Sequence, residues 1–112
     1  MADFTVIETD RLEQVASTAD LEGERVGAEV SIIFVDMAPA ASVRLHRHQY
    51  QEIFIVQEGR ATYTIGDTTV EIEAPRVVVV GPAVPHAFTN SGDGHLKQVD
   101  IHVSPRIVTE WL

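Results

Sequence analysis

A chain of 112 residues, 45% apolar and 22% charged, has the composition and length of one globular domain with one hydrophobic core. Its formal charge of −9, from 17 acids against 8 bases scattered from Arg11 to Arg106, excludes the basic stripe that nucleic acid requires and disfavours anionic membranes. It has no cysteine, hence no disulfide or thiolate chemistry, no apolar run of membrane-spanning length, and no basic-then-apolar leader after Met1-Ala2-Asp3-Phe4, so a cytoplasmic location is expected.

In chain order, the first expected element is a short helix, with Asp10 as its cap, Glu13 three residues on, and Leu12 and Val15 on a weak apolar side running to Ser17. Beyond Gly23 the texture becomes that of strands. Val26, Ala28, Val30, Ile32 and Phe34 recur at every second position between Arg25 and Met37, which is a strand period. Further strands are expected at 41–48, 51–57, 60–66, 69–73, 76–80, 84–89 and 95–104, separated by Gly59, Gly66-Asp67, Pro75, Gly81-Pro82 and the Ser91-Gly92-Asp93-Gly94 loop. Val77 to Val80 reads as a strand buried on both faces. Eight or nine short strands in one domain predict an all-β sandwich, jelly roll or barrel. The expected division is an N-terminal arm with the helical turn at 1–24, the barrel at 25–105 and a tail at 106–112, whose Trp111 and Leu112 are expected to cover the barrel or a partner subunit.

Chemistry concentrates in His46-Arg47-His48-Gln49-Tyr50-Gln51-Glu52, followed by Gly59. Histidines two apart on a strand share a face, about 7 Å apart along the backbone, so their rings can converge on one ion. Glu52 can return from the next antiparallel strand if residues 49–51 form a hairpin turn, which makes Tyr50 and Gln51 turn residues. Imidazole and carboxylate together suit a divalent transition metal such as Mn, Fe, Co, Ni, Cu or Zn. In a second segment, Gly81-Pro82-Ala83-Val84-Pro85-His86-Ala87-Phe88-Thr89-Asn90, His86 follows a stiff proline on a strand that can face the first pair. Taken alone, a single histidine is more often structural than a ligand.

Together the two segments resemble the cupin motifs, G-x5-H-x-H-x3-E-x6-G and G-x5-P-x-G-x2-H-x3-N, over residues 40 to 90. His46, His48, Glu52 and Gly59 match the first in register, and His86 and Asn90 the second. The resemblance implies a double-stranded β-helix, or jelly-roll barrel, with one metal ion inside on His46, His48, Glu52 and His86. Ala40, Pro75, Gly81 and Ala83 stand where the motifs have Gly, Gly, Pro and Gly, which puts local turn geometry in question and leaves the ligands intact. The resemblance is also compatible with a degenerate site that stays empty.

Other residues carry two readings each. Arg44 shares strand parity with His46 and His48; it is either a surface residue at the barrel mouth or a partner for an anionic ligand group, and with Gln98 and Phe88 it is a candidate for the substrate pocket. In the last long strand Gln98, Asp100 and His102 alternate with Val99, Ile101 and Val103. Their polar side faces solvent, or else it lines the cavity, where Asp100 orients a ligand histidine and His102 serves as general acid or base. Val43 and Leu45, opposite the ligands by parity, are candidates for a buried outer face in a homodimer that hides edge strands. Three histidines and a glutamate leave coordination positions open, so the expectation is a metal-dependent enzyme of oxygenase, isomerase, lyase or cyclase type acting on a small organic molecule. The alternative is a non-catalytic ligand-binding or sensor protein, although a regulator usually carries a DNA-binding helical domain as well.

Overall fold

The computed structural model describes residues 3–112. Among the described residues eleven strands form two antiparallel sheets: β1 (Gln14–Val15), β2 (Thr18–Leu21), β3 (Ser31–Met37), β4 (Ser42–Arg47), β5 (Glu52–Glu58), β6 (Arg60–Ile65), β7 (Thr68–Glu73), β8 (Arg76–Val80), β9 (His86–Asn90), β10 (Leu96–His102) and β11 (Glu110–Trp111). One sheet runs β1-β2-β3-β10-β5-β8 and the other β11-β4-β9-β6-β7. The two face each other as a jelly roll that is not closed along its edges. No helix among the described residues is long and apolar enough to cross a membrane.

The N-terminal helix is not present. A single 3₁₀ turn, Thr9–Arg11, contains Asp10, with no side-chain cap, and Val15 pairs with Thr18 in a hairpin through Ala16, whose φ is +53°. A helix this short is marginal in water, whereas β2 gains a full ladder against β3. The strand expected from residue 25 starts only at Ser31, because a 3₁₀ turn at Gly23–Arg25 and left-handed Gly27 occupy the start of the run. Its inward face is Ser31, Ile33, Val35 and Met37, so Ile32 and Phe34 face outward. Similarly, β8 is an edge strand of its sheet with Val77 and Val79 exposed; only Val80 is fully buried. β1 and β2, within the expected arm, extend the six-stranded sheet, and β11, within the expected tail, pairs with β4.

A buried apolar plug of Val35, Met37, Phe54, Val56, Ala61, Tyr63, Val80, Phe88 and Leu96 holds the sheets together, each large member contributing about 1.5–3 kcal/mol by leaving water. It fills one end of the sandwich. Along β10 the inward residues run from apolar Leu96 through Gln98 and Asp100 to His102, and His102 lies opposite Glu52. The chain therefore grades from a dry end to a polar end. At the dry end Gly59 is required: its φ is +86°, and a Cβ there would stand 2.5 Å from the His95 carbonyl oxygen.

Candidate metal centre

Both sheets contribute to the polar end. β4 and β9 bring His46 opposite His86, while Glu52 opens β5 in the other sheet. The expected β4–β5 hairpin is therefore a crossover between sheets, with His48 just beyond the end of β4. It is held there by its own carbonyl, which accepts from the Ala83 N–H at 2.7 Å. A bulge fixes the rest of β4: Val43 pairs with Phe88 and His46 with His86, so three steps on β4 match two on β9. The extra residue resets the parity. Val43 and His46 both line the cavity, contrary to the outward placement expected for Val43, and Arg44 is released to solvent.

One ligand atom from each of His46, His48, Glu52 and His86 lies within 4.8 Å of all the others, and all four residues are buried. Glu52 Oε1 is 2.9 Å from His86 Nε2 and 3.1 Å from His48 Nε2. The orientation of the rings is set from behind. Nδ1 of His46, His48 and His86 lies 2.7, 2.9 and 2.9 Å from the carbonyls of Arg44, Val108 and Val84. A carbonyl can only accept, so each Nδ1 carries the proton and each Nε2 turns a lone pair inward. Lone pairs and a carboxylate then face one another across about 3 Å, an arrangement that calls for a cation between them, and His48 Nε2 and His102 Nε2 are both buried without a well-aligned hydrogen bond. The donor set fits a divalent transition metal.

The same contacts set the electrostatics of the cluster. Burial lowers His46 to about 4 against the carbonyl bond that raises it. Burial acts on His48 in the same sense, but its contacts with the Glu52 carboxylate and the Val108 carbonyl together outweigh it and the net direction is up. Burial alone would raise Glu52, and its contacts with His102, His48 and His86 instead hold it far below the usual carboxylate range. Asp100 is pushed well above that range by burial and by the nearby Glu52 charge.

His102 and Asp100 are both buried and both line the cavity. His102 Nε2 lies 3.0 Å from Glu52 Oε2, and its Nδ1 is 2.7 Å from the Tyr50 hydroxyl. If the hydroxyl donates, His102 has the opposite tautomer from the other three and presents an N–H to Glu52. Asp100 does not meet a histidine as expected. Its partner is Gln98, whose Nε2 donates at 2.7 Å, and Gln98 in turn accepts from the Tyr63 hydroxyl. Gln98 thus stands behind the cavity wall, not in it. Phe88 is part of the wall; Arg44 is not, its guanidinium lying 4.7 Å above the Trp111 ring.

The cavity itself is about 210 Å³, smaller than ordinary ligand pockets. Trp111, Ile107 and Thr109 close one side, Trp111 with its ring 5.0 Å from His46. A larger hollow of about 550 Å³ adjoins it, sharing Thr18, Asp20 and Ile107. Sequence reasoning missed Tyr50, whose hydroxyl also accepts from the Val108 N–H at 3.1 Å and so ties the C-terminal segment to the site. The signal was available, since Tyr50 continues the two-residue spacing of His46 and His48. Nothing in the sequence marks Ile107 or Thr109.

A family model described as Cupin domain matches residues 33–102, most of the chain, and the protein belongs to that family. Solved structures agree on the fold. An uncharacterized double-stranded β-helix protein from Klebsiella pneumoniae is 17% identical with TM-score 0.78, covering 95% of both chains. A cupin protein from Bacteroides fragilis is 17% identical with TM-score 0.77, covering 93% of this chain and 86% of its own. Oxalate decarboxylase from Lactobacillus farciminis, in a formate complex, is 18% identical with TM-score 0.78 over 91% of this chain, which spans only 33% of that enzyme. No curated protein matches by sequence.

Proposed function

We propose that this cupin is a metal-dependent enzyme acting on a small organic molecule, with one divalent transition metal held by His46, His48, Glu52 and His86. The observation that carries the reading is the gathering of one ligand atom from each of three histidines and Glu52 within 4.8 Å in a buried cavity, with His48 and His86 Nε2 at 3.1 and 2.9 Å from the same carboxylate oxygen. A bound metal would supply Lewis-acid or redox chemistry at positions the four ligands leave open. The protein does the rest: His102 holds the second oxygen of Glu52 and carries a proton beside the reacting atoms, Tyr50 fixes His102, and Phe88 and Val43 with Trp111 exclude water. The oxalate decarboxylase and oxalate oxidase among the similar structures support catalysis on small molecules as a use of this fold. Absence of disulfides in so small a domain supports the cytoplasm as its location. Metal analysis of the purified protein, followed by a turnover screen of small oxygenated molecules with and without a chelator, tests the reading. Stoichiometric metal with chelator-sensitive turnover is expected. Failure to take up Mn, Fe, Co, Ni or Zn would overturn it.

The reading extends to a homodimer, through a different surface from the one the sequence suggested. Register aligns two apolar rows across the outside of the six-stranded sheet, Ala19-Phe34-Val99-Ile55-Val77 and Leu21-Ile32-Ile101-Ile53-Val79. Neither row holds a charge. At about 4.8 Å per strand and 3.4 Å per residue the two rows span about 24 by 14 Å, about 330 Å² on each copy, so flanking residues must join them to reach the roughly 1,000 Å² that a specific interface needs. Rows without charge let two copies meet face to face within the acidic surface around them. Light scattering should give a dimer mass that Ile101→Lys converts to monomer with the metal retained; a wild-type monomer at high micromolar concentration contradicts it.

A further inference from the structure

The walls of the cavity carry information about charge that the ligand set does not. No lysine or arginine lines it. Three carboxyl residues do, Glu52, Asp100 and Asp20. The nearest basic candidate, Arg44, is turned outward over Trp111, and Arg11 and Arg25 in the adjoining hollow are paired with Glu8 at 2.7 Å and Glu22 at 3.7 Å. The remaining surface is apolar, from Ile33 and Val35 on one sheet and Val43 and Phe88 on the other. A divalent ion on Glu52 would leave one net positive charge, so the second charge of a dianion would be desolvated here with no cation to meet it, at a cost of several kcal/mol.

We propose, resting on the metal-enzyme reading above, that the cavity selects a small ligand with an apolar body and no more than one negative charge, and rejects dianions. Asp100, whose Oδ1 accepts from Gln98 Nε2, puts a second carboxyl group in the wall and no cation. The volume, about 210 Å³, limits what reaches the metal to a compact molecule; any longer part must lie in the hollow beyond Thr18 and Asp20. Oxalate, named for four of the similar structures, has no apolar body and is doubly charged once ionised. Fold similarity therefore does not carry the oxalate specificity over to this chain.

The test uses the metal-loaded protein and two probes with the same 1,3-dioxygen skeleton, acetylacetone and malonate, which differ in arriving neutral or doubly charged. Calorimetric titration into the Ni(II)-loaded protein should give acetylacetone an affinity about tenfold or more above malonate at low ionic strength. Thr109→Lys, at the rim of the cavity, should narrow or reverse that preference by supplying the missing cation; Val43→Arg is the second variant should the first lose its fold. Equal or tighter binding of malonate by the wild-type protein, or a preference unmoved in a folded charge-adding variant, overturns the inference while leaving the metal site standing. If Ni(II) itself does not bind, it is the metal-enzyme reading that fails.

Discussion

The inward face of the β10–β5 ribbon changes character along its length, from Leu96, Phe54 and Val56 in the apolar plug to a polar end. Inside lie Gln98, Asp100, His102 and Glu52, all buried; outside lie Val99, Ile101, Ile53 and Ile55, partly open to water. An antiparallel sheet ordinarily turns its apolar side to the core. Each buried polar group costs about 1–3 kcal/mol if unpaired, and here they are paired with one another or aimed at a common point. Stability alone would not select this arrangement. The contrast teaches that the polar end of the sandwich is maintained for what it binds and that the apolar plug at the other end holds the fold.

Breaking the polar side should separate metal binding from folding. His86→Ala is expected to lower metal affinity by more than the 10–100-fold typical of an outer partner, while the purified protein keeps its strand signature by circular dichroism. Phe54→Ala, in the plug, should do the reverse, lowering unfolding free energy by about 3–5 kcal/mol with the site's composition unchanged. His102→Ala removes only the residue behind Glu52 and should weaken metal binding by about 10–100-fold in chelator competition. Affinity unaltered by this change would mean that His102 does not hold the carboxylate.

Protonation sharpens the same comparison. Asp100 has a folded-state pKa raised by burial and by Glu52, so the folded protein binds a proton that the unfolded chain has released. The resulting stability is fully present below the ordinary carboxyl value and is lost as pH rises through the raised one. Relative to Asp100→Asn, which cannot ionise, the metal-free wild-type protein should therefore lose melting temperature as the buffer is made more alkaline. Parallel curves across pH would show that Asp100 does not titrate as the geometry requires.

Much of the site was legible in the sequence, and the misses have physical causes. His46, His48, Glu52 and His86 stood out because chelation demands particular residues at particular spacings. Strand positions from β4 to β10 followed from turn residues and two-residue periods, within a residue or two at most ends. Parity failed at Arg44 and Val43 because a bulge, set by cross-strand pairing, inserts one residue that no local pattern announces. It also left β10 undecided, since an alternating strand reads the same whichever side faces in. The N-terminal helix was outcompeted by pairing with β3, a contact distant in sequence. Ala40 and Ala83, the departures from the motif glycines, adopt φ of +71° and +64°, keeping the glycine backbone without the glycine. A side chain there costs about 1–2 kcal/mol. The smallest expected effect follows: Ala83→Gly should raise thermal stability by about 1 kcal/mol by unfolding titration, with metal affinity unchanged.

The central claim is that the inward polar cluster is a metal site made of three imidazoles and one carboxylate. X-ray absorption at the cobalt edge of the Co(II)-loaded protein tests it most directly. The account predicts one cobalt per chain with scattering from three imidazole rings at about 2.0–2.1 Å and additional oxygen, falling to two rings in His86→Ala. A spectrum without imidazole scattering, or one identical in the variant, would contradict it.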